Sequence, residues 1–338
     1  MAERDRLRVG LVGAGVMGLT HAMSLLASPM GELVGVAAPE VDPRLANLCA
    51  GAGVPVGDDV AGLMRGGGLD AVVVATPTDT HAGLVNEAAA AGLHVFCEKP
   101  LALSVEEATS AMEACDQAGV RLAVGHVVRY FPAYARIREL VKAGEVGAPG
   151  MAKCRRMSSA PGLAREWYAD RQRSGGLVLD MGVHDFDWLL WCLGPVERIS
   201  ALVVQRGASQ VAMAILAHKQ GAISSVELSW MDPTGFWTAV EVSGPGGLLR
   251  HDSRSSATYR LDRFPEGDGQ ESPSVEVPVG ETRNDPYREE MEEALSWFAG
   301  GPPPRGTAPD AVAAVALAEA AHLAAATRET VVVAEARQ

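Results

Sequence analysis

The hydrophobic positions of the first 125 residues alternate between short, continuous apolar runs and longer stretches with helical spacing. Continuous apolar runs are typical of strands that are buried on both faces of a parallel sheet. The predicted strands are 7–12, 33–37, 54–56, 70–75, 95–97 and 121–125. The first predicted helix ends at 26, and the next two start near 44 and 59. Two more helices are predicted at 80–91 and 105–117. Ser104 caps the last of these, with Glu107 as its capping-box partner. Strands that alternate with helices predict a doubly wound parallel sheet with right-handed crossovers.

After residue 125 the pattern changes to one helix, ending near 143, followed by strand-like alternation from about 151. The residues that share strand faces are Val211, Met213 and Ile215; Val226, Leu228 and Trp230; and Thr238, Val240 and Val242. We predict a hairpin turn at 219–221, an exposed loop at 265–286, and helices at 287–298 and 309–325. The fold class is therefore α/β, with domain 1–125 built on the parallel sheet and an α+β domain, 126–338, built on a mostly antiparallel sheet.

Composition narrows the possible partners. The 338 residues are 48% hydrophobic and carry a net charge of −13 without a basic run, which argues against nucleic acid or an anionic membrane as partner. The five cysteines lie far apart and lack metal-ligand spacing, so we expect reduced thiols, no metal and a cytoplasmic location. We expect no membrane-spanning segment. The apolar stretch 9–27 carries four glycines and His21 and is preceded by the acidic residues Glu3 and Asp5, unlike a signal peptide.

A glycine-rich motif lies directly between the first predicted strand and the first predicted helix. Gly13, Gly15 and Gly18 form GxGxxG, with Val16 and Met17 inside it. The glycines permit a tight turn, close approach of a pyrophosphate and close helix–strand packing, and the helix N-terminus favours the phosphate charge. We therefore predict that the first domain binds a dinucleotide.

The residues that would contact the rest of the cofactor are less regular. A carboxylate that binds the adenosine ribose is expected about twenty residues after the motif, where Ala38 stands and Glu40 is the nearest acidic residue. Glu40 favours NAD, whereas Arg44 could pair with the 2′-phosphate of NADP. Thr76 and Pro77 follow the strand 70–75, where the cofactor should lie, although a simple loop is an alternative interpretation.

Two stretches carry candidate chemistry. Glu98-Lys99-Pro100 ends a predicted strand, which places Lys99 at the edge of the sheet where ligands bind. Asp180 and His184 are one turn apart if a helix starts at Asp180, so the carboxylate could orient the imidazole; alternatively, Asp180 only caps the helix. For oxidation of a secondary alcohol, His184 would be the general base, Lys99 would stabilise the developing negative charge, and Asp180 would bind a neighbouring hydroxyl.

Taken with the Gly144-Glu-Val-Gly147 turn and Ser174-Gly-Gly176, these motifs resemble the glucose–fructose oxidoreductase/inositol dehydrogenase/MocA (Gfo/Idh/MocA) family from residue 7 to about 333. The resemblance implies an N-terminal Rossmann domain, a C-terminal domain with a large open sheet, and a homodimer or homotetramer through that sheet. It also implies Lys99, Asp180 and His184 as the catalytic set and Glu98 near the nicotinamide ribose. The cofactor-binding residues are then Gly13, Gly15, Val16, Met17, Gly18, Glu40, Thr76, Pro77, His81, Glu98 and Lys99. The predicted substrate-binding residues are His126, Arg129, Trp167, Asp180 and His184, with Arg156 and Tyr168 as further candidates. For Arg129, Arg156, Trp167 and Tyr168 a structural role is the alternative interpretation.

The function that these observations favour is hydride transfer between NAD(P) and a secondary alcohol or ketone of a sugar, a sugar derivative or an inositol-like cyclic polyol. Residues 180–187 resemble the polyol-type members, whereas 126–132 differ from the Asn-Arg-Arg pattern of inositol dehydrogenases. One alternative is a redox-neutral enzyme that oxidises a sugar, eliminates a glycosidic substituent and returns the hydride. Another is a non-catalytic regulator that senses the dinucleotide, although such a protein has no need for Lys99, Asp180 and His184 together.

Overall fold

The computed structural model describes residues 6–160, 166–207, 209–255, 257–263, 274–278 and 285–333. The chain forms two compact units, Met1–Val127 with Asn284–Val312, and Val128–Arg283 with Ala313–Gln338. The first break lies two residues from the boundary predicted at 125. Residues 284–312 belong to the first unit, although they come late in the sequence.

The first unit contains a parallel sheet. Its strands are β1 (Leu7–Ala14), β2 (Gly31–Val41), β3 (Val56–Gly57), β4 (Ala71–Val74), β5 (His94–Glu98) and β6 (Leu122–Gly125). Their order is β3-β2-β1-β4-β5-β6, so the chain winds outward in both directions from β1. This is the dinucleotide-binding arrangement, in which the order reverses between β1 and β4 and opens a crevice at the carboxyl ends of the strands. The parallel sheet predicted from the sequence is confirmed, and β2 extends beyond its predicted ends.

Helices cover the sheet and end where the sequence provides caps. They are α1 (Val16–Ala27), α2 (Pro43–Ala52), α3 (Val60–Arg65), α4 (His81–Ala90), α5 (Val105–Ala118) and α11 (Pro286–Phe298). The Ser104 hydroxyl accepts a hydrogen bond from the Glu107 amide at 3.1 Å, and the Leu103 amide donates to the Glu107 side chain at 3.2 Å, as the capping box requires. Met291, Leu295 and Phe298 of α11 pack into the same core as Val9 and Leu25, which explains why this late helix joins the first unit.

The second unit contains a larger, mostly antiparallel sheet. Its strands are β7 (Met151–Met157), β8 (Val196–Arg206), β9 (Ser209–His218), β10 (Ile223–Ser229), β11 (Trp237–Gly244), β12 (Gly247–Asp252), β13 (Ala257–Asp262), β14 (Ser274–Pro278) and β15 (Val331–Val332). In the described residues their order is β14-β13-β12-β11-β7-β10-β9-β8-β15, and only β7 and β10 pair in parallel. The predicted hairpin turn is confirmed by the Gly221 amide, which donates to the His218 carbonyl at 2.9 Å. The predicted loop at 265–286 is wrong for β14, and most of its other residues lie outside the described ranges.

Helices pack on one face of this sheet and leave the other face exposed. They are α6 (Pro132–Lys142), α7 (Glu166–Ala169), α8 (Arg171–Ser174), α9 (Gly176–Asp180) and α10 (Gly182–Leu193). Val226 and Leu228 of β10 face the helices and are 1% and 3% exposed. Met213 and Ile215 of β9 point the opposite way and are 50% and 53% exposed. The period-two alternation predicted for these strands is therefore confirmed.

The last helix, α12 (Ala308–Thr327), is long and apolar enough to cross a membrane by length and composition alone. This contradicts the expectation that no segment would reach that length and apolarity. In the structure, 44% of its apolar window is buried inside the protein.

Candidate active site

The glycine motif forms the turn from β1 to α1. Gly13 has φ of +101°, and a Cβ there would lie 2.3 Å from the Ala75 carbonyl oxygen, so a side chain is excluded on both counts. A Cβ at Gly18 would lie 2.2 Å from the Gly13 carbonyl oxygen, which shows how closely α1 packs on the turn. By contrast, a Cβ at Gly15 would meet nothing within 4 Å. The turn therefore leaves open space beside Gly15 at the N-terminus of α1, as a dinucleotide pyrophosphate requires.

The loop after β4 lies beside this turn. Val12 and Val74 are register partners, which places Thr76 and Pro77 at the same edge of the sheet as Gly13. The loop is ordered by its own hydroxyls, since Thr76 Oγ1 and Thr80 Oγ1 are 2.7 Å apart. The predicted cofactor residues Gly13, Gly15, Thr76 and Pro77 are thus adjacent.

His81 begins α4 and is buried, with 1% exposure. Its Nδ1 lies 2.7 Å from the Pro100 carbonyl oxygen and its Nε2 lies 2.9 Å from the Thr76 carbonyl oxygen. Burial lowers the pKa of His81, despite the opposing effect of these two oxygens. His81 was predicted to bind the cofactor. In the structure, both of its ring nitrogens contact backbone carbonyl oxygens, one in the loop after β4 and one directly after Lys99.

Glu98 is buried at the end of β5, with 6% exposure. Its Oε1 lies 2.7 Å from His21 Nε2, and its Oε2 accepts a hydrogen bond from the Lys99 amide at 3.1 Å. Burial acts to raise the pKa of Glu98, but the hydrogen bond from His21 and the charge of Lys99 outweigh it, so that the pKa is lowered. Lys99 is partly exposed, and its peptide bond to Pro100 is cis.

The ribose end of the site favours NAD. Glu40 lies exposed near the end of β2. The residue after it, Val41, is the register partner of Ala14 in the β1–α1 turn. Arg44, the residue that could have selected NADP, is held by Asp42 through side-chain hydrogen bonds of 2.7 and 3.1 Å. The same pairing lowers the pKa of Asp42 to about 2. That Glu40 binds a ribose hydroxyl stays a prediction.

In the second unit, Asp180 and His184 lie on consecutive helices. The predicted single helix from Asp180 is interrupted, because α9 ends at Asp180 and α10 starts at Gly182. Met181 between them keeps helical angles (φ −94°, ψ −40°), and its amide donates to the Leu177 carbonyl at 3.0 Å. Asp180 and His184 therefore keep the one-turn relationship that their spacing predicted. Asp180 does not cap α10, whose N-cap is Met181. Of residues 181–189, all of which the structure describes, only His184 is not buried.

Two buried ion pairs fix α10. Arg129 donates to both oxygens of Asp187 at 2.8 and 2.6 Å, and Arg156 of β7 donates to both oxygens of Asp185 at 2.9 Å each. Burial opposes the charge of Arg156, but Asp185 outweighs it and raises its pKa. Arg129 is only 2% exposed. The prediction that Arg129 binds substrate is therefore not supported, and both arginines are positioned to hold α10.

The other predicted substrate residues differ in their surroundings. His126 follows β6 and is 1% exposed. Trp167 and Tyr168 are partly exposed and stack on each other with ring centroids 3.9 Å apart. The Tyr168 carbonyl accepts a hydrogen bond from the Ser174 hydroxyl at 3.0 Å.

Two residues near Lys99, His21 and Tyr287, were not predicted from the sequence. His21 lies on the buried side of α1 with Gly18 and Leu25, a position where a polar side chain needs a partner; that spacing was the available signal. Tyr287 of α11 has no such signal. Its pKa is raised by burial and by the negative charges of Glu98 and Glu290.

Comparison with known proteins identifies the family. Residues 7–126 match the GFO_IDH_MocA model, described as "Oxidoreductase family, NAD-binding Rossmann fold", and residues 134–250 match its C-terminal domain model. This chain belongs to the Gfo/Idh/MocA oxidoreductase family. The resemblance inferred from its motifs is confirmed.

Relatives and solved structures agree with this assignment. The chain is 30% identical to the rhizopine catabolism protein MocA of Rhizobium meliloti over 94% of each chain. It is 32% identical to the scyllo-inositol 2-dehydrogenase (NAD(+)) of Bacillus subtilis over 72% of this chain and 73% of the other. The structure of GenD2 from gentamicin A biosynthesis in complex with NAD matches with a TM-score of 0.85 and 28% identity, covering 99% and 98% of the two chains. The chain is an NAD-dependent oxidoreductase.

Proposed function

We propose that this protein is a dehydrogenase that oxidises a secondary alcohol of a cyclic polyol, a sugar or a sugar derivative, or catalyses the reverse reaction. The observation that carries the proposal is that one chain contains both the glycine turn between β1 and α1 and the residues Lys99, Asp180 and His184. Relatives of this chain are named inositol dehydrogenases. The rhizopine catabolism protein and GenD2 extend the chemistry of its relatives beyond inositol itself.

Each catalytic side chain supplies one requirement of alcohol oxidation. The glycine turn would hold NAD, which would supply the hydride acceptor for this reaction. His184, which is partly exposed on an otherwise buried helix start, takes the proton of the reacting hydroxyl. The Lys99 ammonium group donates a hydrogen bond to that oxygen and stabilises its developing charge. Asp180 orients His184 from one turn away and accepts a hydrogen bond from a neighbouring hydroxyl.

The test is absorbance of reduced nicotinamide with purified protein, NAD or NADP, and a panel of inositols, aldoses, amino sugars and acid sugars. We expect one class of the panel to reduce NAD, and NADP to be used less well. Release of a glycosidic substituent with tightly bound cofactor and no net NADH would instead support the redox-neutral reaction. Absence of both signals across the panel would refute the proposal.

Lys99→Ala tests the catalytic set directly. We expect kcat to fall by about 10²–10³, as for loss of one oxyanion-stabilising donor, while the Kd for NAD changes little. Titration of NAD binding by protein fluorescence provides the second measurement. Near-normal turnover in this variant would remove Lys99 from the mechanism.

We also propose a homo-oligomer that forms through the exposed face of the second sheet. Large apolar side chains on that face are 43–64% exposed, and they are Met151, Leu202, Val204, Met213, Ile215 and Ile223. Exposed apolar side chains grouped on one face of a sheet are typical of a protein interface. We expect Met213→Glu with Ile215→Glu to lower the mass measured by light scattering, whereas a monomeric wild-type protein would refute the proposal.

A further inference from the structure

Two buried histidines lie on either side of the segment that carries Lys99. His21 of α1 is 0% exposed and His81 of α4 is 1% exposed. Burying two imidazoles is unfavourable unless their nitrogens find partners. Nε2 of His21 and Nδ1 of His81 find theirs at the residues that immediately precede and follow Lys99.

His21 holds the residue before Lys99. Because the Glu98 carboxylate can only accept, Nε2–H of His21 donates to Oε1 across 2.7 Å. The other carboxylate oxygen accepts from the Lys99 amide at 3.1 Å, so the carboxylate links α1 to the backbone of the lysine itself. The His21 ring also packs edge-on against Phe96 of β5, with centroids 5.0 Å apart, and this contact fixes its orientation.

His81 holds the residue after Lys99. A neutral imidazole has a single N–H, and so it can donate to only one of the two carbonyl oxygens that face its nitrogens. The contact from Nδ1 to the Pro100 oxygen is the shorter, at 2.7 Å against 2.9 Å to the Thr76 oxygen. The shorter contact favours the tautomer that carries the proton on Nδ1 and donates to Pro100.

We propose that His21 and His81 are positioning residues that fix the backbone on both sides of Lys99 and thereby hold its ammonium group at the reacting oxygen. The role of Lys99 in this inference rests on the proposed function. Neither histidine acts on the substrate directly, since both are enclosed by protein. A misplacement of about 1 Å in a catalytic group can cost about 10²-fold in rate, so small backbone shifts at Lys99 have large effects on kcat.

Isosteric amides separate the two hydrogen bonds of His81. The amide nitrogen of Asn can replace Nδ1 and donate to Pro100, whereas that of Gln can replace Nε2 and donate to Thr76. We expect His81→Asn to stay within about threefold of wild-type kcat, and His81→Gln and His81→Leu to lose about 10- to 100-fold. The KM for NAD should change less than kcat in all three. The reverse order of Asn and Gln, or equal values for all three, would overturn the assignment.

The same comparison applies to His21. His21→Gln keeps a donor for Glu98 and should retain more kcat than His21→Leu. His94→Asn serves as control, because His94 lies at the opposite end of β5 and stacks on Phe298 with centroids 5.2 Å apart. We expect this control to keep wild-type kcat. A loss in His94→Asn equal to that in His21→Leu would show a general packing effect and contradict positioning.

A second readout needs no substrate. The rate at which an amine-reactive reagent labels Lys99, measured by peptide mass spectrometry below the unfolding temperature of each variant, reports the surroundings of its ammonium group. We expect this rate to change in His81→Gln and His81→Leu and to keep the wild-type value in His81→Asn. Unchanged labelling in every variant would overturn the inference. Failure to turn over any polyol would count against the proposed function separately, because the labelling rate does not require a substrate.

Discussion

Removing the carboxylate of Asp185 should destabilise the second unit. Asp185 and Arg156 form a bidentate pair with both contacts at 2.9 Å, and their side chains are 0% and 4% exposed. Asp185→Ala leaves the guanidinium buried without this carboxylate, and water cannot replace it without opening the helix–sheet contact. Because His184 is the preceding residue, we also expect lower kcat.

The magnitude follows from burial. Breaking a buried ion pair by removing one partner costs about 3–5 kcal/mol, which corresponds to about 6–20 °C in Tm for a unit of this size. Replacing both partners with apolar residues, as in Arg156→Met with Asp185→Leu, removes the unpaired charge and should recover most of that loss. An exposed pair in the same unit provides the control: Asp252 and Arg254 are 32% and 53% exposed, and Asp252→Ala should cost about 0–1 kcal/mol.

The assay is urea unfolding followed by circular dichroism, with hydrogen exchange of the α10 amides as a local probe. The two units can unfold separately, so the transition is assigned to the second unit by the exchange data. A loss below about 1 kcal/mol in Asp185→Ala, or a double variant as unstable as the single one, would refute the reasoning.

Two further predictions concern the glycine turn and pH. Gly13→Ala should fail to fold or lose several degrees in Tm, because its Cβ would lie 2.3 Å from the Ala75 oxygen. Gly15→Ala should keep the Tm of the NAD-free protein and lose NAD affinity in calorimetry. Equal stability of the two variants would contradict this. Burial and the charge of Arg171 lower the pKa of His322 from 6.5 to about 4, so the folded state binds fewer protons and the free energy of unfolding should fall as pH drops from about 6.5 to about 4. His322→Gln should flatten that decline in urea titrations, and an unchanged slope would exclude His322 as its source.

The sequence by itself determined the elements and the cofactor turn. Continuous apolar runs, helical spacing and caps such as Ser104 act within a few residues, so each strand and helix of the first unit could be placed before its neighbours were known. The GxGxxG motif is similarly local, because Gly13 and Gly18 are required by the backbone of a single turn. The alternation of β9 also followed from local pattern, which placed Met213 and Ile215 on the same face.

The tertiary structure decided which distant residues meet. His21 meets Glu98 from 77 positions away, Arg129 meets Asp187 from 58, and only the strand order and helix packing bring these pairs together. For this reason Arg129 was predicted at a substrate site and instead lies in a buried ion pair.

The same reason explains α11. Its apolar stripe predicts a helix but does not indicate which core the helix packs against. Only the shape of the core of the first unit selects Leu295 to pack with β1 and α1. Local free energies of hydrogen bonding and capping are encoded in neighbouring residues. Long-range contacts depend on the fold as a whole, since burial is shared among side chains that the sequence separates.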